Sequence, residues 1–298
     1  MIQLRRPGVL LLAFLLVVGT AGTAGAAPAA ATAPTVPVLV GIRAAHHPTF
    51  DRIVFDFRGG LPSGREVGYV PELIGDASGL PVPIAGRAVL QVRFEPADAH
   101  DQTGTETAPG RLAFPLPNVM TAVRSGDLEA VTTYGIGLAR RESVTVSTLT
   151  DPDRVVVDVG AAFRTVPRQV YFLDEDAFEA GREPFFVPVT RPVLPLSPAT
   201  GVLDRLFAGP VPSESATGLR LLRSEATDFA DLSIGGAIAR VRLVGGCDSQ
   251  GSTVTVAGEI KPTLRQFSTV DWVKILDPAG STERPTGRTD SIPTCLEP

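Results

Sequence analysis

From Val38 to Phe163 the chain is written in short runs that place an apolar residue at every second position. "DRIVFDF" (Asp51–Phe57) sends Ile53, Phe55 and Phe57 to one side and Arg52, Val54 and Asp56 to the other. "GREVGYVPEL", "RAVLQVRFEP", "ESVTVSTL" and "DRVVVDV" (Asp153–Val159) repeat the habit, with Gly, Pro or Asp at their ends. Period-two alternation of β-branched and aromatic residues marks half-buried strands. Short strands between such turns predict a mostly-β, antiparallel, sandwich-like domain over 38–163. Two stretches depart from the pattern. "DAHDQTGTETAPG" (Asp98–Gly110) is polar and reads as an exposed loop. In "PNVMTAVRSGDLEAV", Val119, Val123, Leu128 and Val131 permit a short helical turn, broken at Gly126 before strand resumes.

A different rhythm begins near Gln169. "QVYFLDED" is a strand ending in an acidic turn, and "FFVPVTRPV" is a strand whose two prolines place it at an edge. "SPATGVLDRLFAGP" has helix punctuation: Ser197 as N-cap, Pro198 at the first helical position, Gly209-Pro210 as the stop. "DLSIGGAIARVRLVGG" reads as two strands joined at Gly-Gly. "GSTVTVAGEIKPTLRQF" sets Val256, Ile260, Leu264 and Phe267 on one helical face, with Pro262 expected to kink or divide it. "VDWVKILDPAG" closes the unit as a strand. The order β-β-α-β-β-α-β predicts an α+β domain, two helices on one sheet, over 169–280.

The first residues carry a different signal. Arg5 and Arg6 precede the apolar run "GVLLLAFLLVV", and "AGA" at Ala24–Ala26 offers small residues for cleavage. This is the layout of a signal peptide over 1–26, and the apolar run falls short of the ~20 residues that span a bilayer. An Ala/Pro linker follows over 27–37. Export changes how Cys247 and Cys295 read: outside the cytoplasm such a pair is most simply a disulfide. It would close a loop of about fifty residues, worth roughly 3–4 kcal/mol, and tie down the tail, 281–298. Net charge is −5, with 25 Arg to 2 Lys and no basic block longer than two residues. That argues against nucleic acid as a partner, which needs clustered cations.

With these segments placed, the second unit resembles a GerMN domain, named from sporulation and germination proteins. The resemblance rests on "VYFLDED", "ATGVLDRLFAGPVPSESATGL", "ARVRL" and "IKPTLRQFSTVDWVKILDPAG", with the run from Thr263 to Leu276 as landmark. The first unit resembles the AMIN-like domain found upstream of GerMN domains in exported actinobacterial proteins, through "HHPTFDRIVFDFRGGLP", "GYVPEL" and "LTDPDRVVVDV". The resemblance implies an exported, secreted or wall-associated envelope protein. Its AMIN-like part would localise it or bind peptidoglycan, and its GerMN part would contact envelope proteins or itself. No catalytic activity, cofactor or metal comes with either domain. A purely structural assembly subunit, or a hydrolase with an unrecognised site, stand as alternatives.

The residues themselves supply little chemistry. Of three histidines, His46 and His47 would point to opposite sides of an extended segment, and His100 stands alone. No spacing suits a zinc set or a nucleophile elbow. "DEDAFE" (Asp174–Glu179) lacks the spacing and Gly of an EF-hand, so it reads as a solvated turn. What remains is a charged face. If "DRIVFDF" and "DRVVVDV" are neighbouring strands, Arg52, Asp56, Arg154 and Asp158 share one surface. They would either hydrogen-bond wall sugars or peptide carboxylates, or form a ladder of cross-strand ion pairs, which the energetics favour.

Overall fold

The computed structural model describes residues 35–298. The expected signal peptide and residues 27–34 of the expected linker lie outside the described residues. The first strand begins at Val38, where the alternation begins. The first domain has nine strands: β1 (Val38–His47), β2 (Phe50–Arg58), β3 (Gly64–Val70), β4 (Ala88–Glu95), β5 (Arg111–Ala113), β6 (Val119–Leu128), β7 (Val131–Leu138), β8 (Val144–Leu149) and β9 (Arg154–Gly160). They form two antiparallel sheets, β1-β2-β9-β8 and β3-β4-β7-β6-β5. Ile53, Phe55 and Phe57 turn inward as their alternation predicts and meet Val92, Phe94 and Tyr134 of the facing sheet. Phe55 and Phe57 each set their ring edge-on to Phe94, at 5.0 and 5.1 Å. Such pairs add about 0.5–1.5 kcal/mol beyond the burial itself.

Two local expectations are overturned here. Val119–Leu128 contains no helical turn; it is strand β6, hairpinned to β7. Glu129 and Ala130, with φ of 53° and 57°, make a two-residue turn whose twist suits a hairpin. The helical spacing misled because Val119–Val123 is buried on both faces, so alternation is lost. Nor is Asp98–Gly110 a plain exposed loop. Ala99 and Ala108 are buried, at 0% and 3% exposure, and Thr107 returns to donate its N–H to Ala99 O at 2.9 Å.

The second domain runs β10 (Val166–Asp174), α1 (Glu175–Glu179), β11 (Phe186–Val193), α2 (Pro198–Ala208), α3 (Pro212–Ser215), β12 (Leu219–Arg220), β13 (Ala226–Gly235), β14 (Ile238–Gly245), α4 (Val256–Arg265) and β15 (Trp272–Leu276). The α+β class and its two long helices are as expected, and β11 is an edge strand. The acidic turn is the short helix α1, capped by Asp174 accepting Ala177 N–H at 2.9 Å. Ser197 sits at the N-cap position of α2 without a side-chain cap bond. The β13–β14 turn is Gly236-Ala237, one residue past the expected Gly-Gly, and α4 continues through Pro262.

The strands divide between two three-stranded sheets, β11-β10-β12 and β13-β14-β15, rather than forming one. Helix α4 explains the division. Along the second edge of β10, Glu259 accepts Leu173 N–H (3.2 Å) and Thr263 accepts Tyr171 N–H (3.0 Å). Gln266 accepts Gln169 N–H (2.9 Å) and donates back to its carbonyl (2.6 Å). A helix face stands where a strand would pair. Gly258 permits the approach, because a Cβ there would lie 2.1 Å from the Phe186 ring. The landmark "TLRQF" is thereby explained: its Thr and Gln satisfy backbone that must otherwise be buried unpaired.

The tail is bound as predicted. Cys247 and Cys295 form a disulfide. Ser291 bonds the free edge of β15, accepting Ile275 N–H at 2.9 Å and donating its own to Val273 O at 3.1 Å.

The two domains share a buried junction. Ala85 and Met120 of the first lie in one cluster with Val202, Leu206, Phe207 and Phe229 of the second. Helix α2 delivers Asp204 and Arg205 into it, 5% and 2% exposed. Arg205 donates to the carbonyls of Phe114 (3.0 Å), Leu116 and Pro117 (3.2 Å). On the far side of that loop, fully buried Asp51 accepts the N–H groups of Asn118 (2.6 Å) and Val119 (2.9 Å). Asp204 accepts from Arg87, at 3.0 Å from Nε and 2.7 Å from a terminal nitrogen. Burial pushes the Asp204 carboxyl up to about 6 despite Arg87. Burial presses Arg205 down to about 9, so it remains charged at neutral pH.

These contacts predict three stability effects. Cys295→Ser, which opens a loop of 48-residue separation, costs about 4 kcal/mol and frees the tail to limited proteolysis. Arg205→Met strips donors from a buried loop and costs about 3–5 kcal/mol in denaturant unfolding. Asp204 holds its proton more tightly folded than unfolded. Its contribution is therefore full below about pH 4 and is lost as pH rises through about 6. The loss approaches about 3 kcal/mol, and Asp204→Asn should flatten that part of the stability profile.

Candidate functional site

The four residues of the expected charged face do come together. β2 and β9 are antiparallel neighbours, with Arg52 opposite Asp158, Val54 opposite Val156 and Asp56 opposite Arg154. The motif D-R-x-x-x-D is thus self-complementary: written twice and run antiparallel, it sets each Arg against the other copy's second Asp. Arg52 grips Asp158 with two bonds of 2.7 Å. That bond outweighs burial and raises the Arg52 pKa further. Asp56, however, is held by Arg43 of β1, at 2.9 and 3.1 Å. Arg154 donates instead to Pro152 O at 3.1 Å. Both carboxylates are therefore occupied by guanidinium groups of the same sheet. This is the geometry of an ion-pair ladder, each exposed pair worth about 0.2–1 kcal/mol. Arg43, which completes it, lies in a strand the alternation did not single out.

A more open arrangement lies at the other end of the domain. Arg58 ends β2, seven residues from the junction residue Asp51 and so roughly 23 Å away along an extended strand. Beside it, the segment Asp98–Thr103 forms one wall of a groove of about 650 Å³, and Arg58, Gly59 and the chain from Thr35 to Val38 form the other. The wall is well built. Asp101 accepts the N–H groups of Thr103 (2.8 Å) and Thr105 (3.0 Å) and the Thr103 hydroxyl (2.6 Å). These bonds hold its carboxyl below the usual pKa. Among the described residues the side chains of Arg58 and Gln102 make no hydrogen bond to protein, so their donors face the groove unengaged. Reading Asp98–Gly110 as an ordinary loop hid this site. The one cue was the spread of Asp, His, Gln and Thr over six consecutive positions.

Asp98, His100 and Asp127 bring potential ligand atoms within 4.8 Å of one another. Their bonding is already internal. Asp127 accepts Ala99 N–H and the Thr132 hydroxyl, each at 2.8 Å, and its second oxygen lies 2.7 Å from His100 Nδ1. Burial works to raise the Asp127 pKa, but His100 and the other donors hold it below its ordinary value. The bond to Asp127 raises that of His100. Arg124, 4.0 Å from Asp127, adds positive charge that disfavours a cation. The other histidines are separately engaged: His46 Nδ1 lies 2.7 Å from Asp51, and His47 stacks on Phe50 at 4.6 Å.

Comparison with known proteins supports the two resemblances. Residues 37–161 match the AMIN-like domain, and residues 169–277 match the family described as sporulation and spore germination. No curated protein and no solved structure matches the chain. No helix among the described residues is long and apolar enough to cross a membrane. The pair of domains is consistent with an envelope or germination-related protein. In chain order, this protein is an AMIN-like domain followed by a sporulation and spore germination (GerMN) domain.

Proposed function

We propose that the protein is a non-catalytic component of the cell envelope. Its AMIN-like domain binds a wall polymer of the peptidoglycan class, and its GerMN domain contacts other envelope proteins. The observation that carries this reading is the groove of the AMIN-like domain, in which polar side chains from Arg58 and the Asp98–Thr103 segment stand beside an apolar wall with Val36 and Val38, at the end away from the GerMN junction. Its volume falls in the ~300–1,000 Å³ range of small-ligand sites. It offers what a glycan or peptide stem requires: a cation for carboxylates, an amide and hydroxyls for sugar oxygens, and carboxylates for hydroxyl or amine donors. The absence of a catalytic role is supported by the histidines, each tied to a different neighbour with no nucleophile placed on it. The charged face of β2 and β9 is the weaker candidate, since Asp56 and Asp158 already hold arginines.

Sedimentation with purified peptidoglycan sacculi tests this. The wild-type protein should be retained, Arg58→Ala/His100→Ala should be lost from the pellet, and Arg52→Ala/Arg154→Ala should still bind. The opposite pattern would move the site to the β2–β9 face. No retention of the wild type would leave an assembly subunit without wall affinity.

A further inference from the structure

A second groove lies where the two domains meet, and its charge has a single sign. β5 forms one side, with Arg111 and Leu112. The chain from Pro210 to Leu221 forms the other, with Pro212 and Arg220 between them. The groove has a volume of about 650 Å³, and no Asp or Glu lines it. The chain as a whole carries a net charge of −5, so the positive sign is local. Glu214, on the intervening helix α3, is bonded to Arg191 and to Val211 N–H instead.

The cations are held in place but not neutralised by one another's partners. Arg220 Nε lies 3.0 Å from Glu175, and one terminal nitrogen donates to the carbonyls of Ser215 (2.7 Å) and Leu219 (3.0 Å). Its other terminal nitrogen is unengaged among the described residues. Arg111 donates to Pro83 O at 2.6 Å. Arg223, two residues beyond Leu221, reaches only Phe207 O, 3.5 Å away. Neither Arg111 nor Arg223 has a carboxylate at ion-pair distance among the described residues. Arg111 retains solvent access. Partial burial of its guanidinium and the nearby charge of Arg223 nonetheless press it down to about 10, so it stays charged at neutral pH. Burial lowers Arg223 as well, although Glu259 and Asp228 oppose it.

Two guanidinium groups close enough to repel, with no acid between them, carry an electrostatic cost that a bound anion removes. A cleft of one charge sign with low-dielectric walls also focuses its field on such an anion. The walls narrow the choice further. Half-buried Leu112 and Leu221 and the two prolines leave apolar surface beside the cations. A bare inorganic ion would leave that surface wet, whereas an anion with an apolar body covers it. The guanidinium fork suits the oxygens of a phosphate or a carboxylate.

We propose that this groove binds an amphiphilic organic anion, with its phosphate or carboxylate head on Arg111, flanked by Arg220 and Arg223, and its apolar body along Leu112 and Leu221. The site draws its walls from both domains, so an occupant ties β5 to the β12 segment. It is separate from the groove at Arg58 and does not depend on it.

Isothermal titration calorimetry of the purified protein with octyl phosphate, kept below micelle formation, tests the site. Octyl phosphate should bind. Inorganic phosphate and octyl glucoside, which each supply half of the ligand, should bind at least about tenfold more weakly. A parallel titration with octanoate distinguishes the two heads, and binding of either octyl anion meets the expectation. Arg111→Gln and Arg223→Gln, with the fold intact by circular dichroism, should each weaken binding about tenfold through loss of a charge-assisted contact. Arg154→Ala, which removes an arginine elsewhere in the first domain, should leave it unchanged. Amide shifts in the wild type, followed by nuclear magnetic resonance, should centre on 111–113 and 219–223. That map keeps the test decisive should a variant fail to fold. Failure of both octyl anions to bind overturns the proposal. So does equal binding of octyl glucoside or inorganic phosphate, a complex indifferent to both Gln variants, or a shift map centred elsewhere.

Discussion

The fold turns on one loop held between two opposite charges. "FPLPN" (Phe114–Asn118) contains two prolines and so has few donors of its own. Its carbonyls at Phe114, Leu116 and Pro117 receive Arg205 from the second domain. Its following amides, at Asn118 and Val119, are taken by Asp51 from the first. Asn118 then ties the loop to both neighbouring segments, donating to Gly160 O at 2.8 Å and accepting Arg140 N–H at 3.0 Å. Neither buried charge would be tolerated alone, since an unpaired ion in this interior costs several kcal/mol. Each is stabilised by peptide dipoles that the other helps to orient. The loop, the start of β2, the end of β9 and helix α2 are fixed together.

A hinge between the domains would have to break this arrangement. The connecting segment from β9 to β10 is five residues, 161–165, and has little slack. Ala161 donates its N–H to Thr49 O at 2.8 Å, and Arg140 stacks over Phe163 at 4.9 Å. Inter-domain contacts are commonly polar and yielding. Here the hydrophobic cluster runs through the junction, from Met120 and Ala85 into the core beneath α2. Residues 35–298 form one compact unit with two domain origins. The Arg58 end of the first domain is therefore held at a fixed orientation to the second domain.

Much of this was legible in the residues. Alternation located the strands of the first domain, and the repeat of "DRIVFDF" in "DRVVVDV" pointed to adjacent strands with an ion-pair face. The cysteines and the helix punctuation at Pro198 and Gly209 were equally direct. What stayed hidden was charge placed inside. In "GVLDRLFA", Asp204 and Arg205 look like the solvated side of an amphipathic helix, yet every residue from Val202 to Ala208 is buried. Periodicity describes a helix with one wet face, and α2 has none. Asp51 was hidden for the same reason: the Asp that opens a strand usually marks a turn, and this one is fully buried against a loop 67 residues away. Likewise Glu259, Thr263 and Gln266 form a polar line on α4 that resembles a surface, although it pairs a strand edge.

The buried polar groups share a logic that separates structural sites from a functional one. Glu259, Asp51, Arg205 and Asp127 each satisfy backbone groups that packing has removed from water, and each has its bonding capacity engaged by the chain itself. A residue kept for a ligand must instead leave capacity unused while remaining accessible. By that criterion the Asp56 and Asp158 carboxylates are committed to the fold, and the Arg58 and Gln102 side chains are not. Arg58 and Gln102 lie at the end of the AMIN-like domain away from the GerMN junction. The interior charges hold those positions in place and are not themselves the means of recognition.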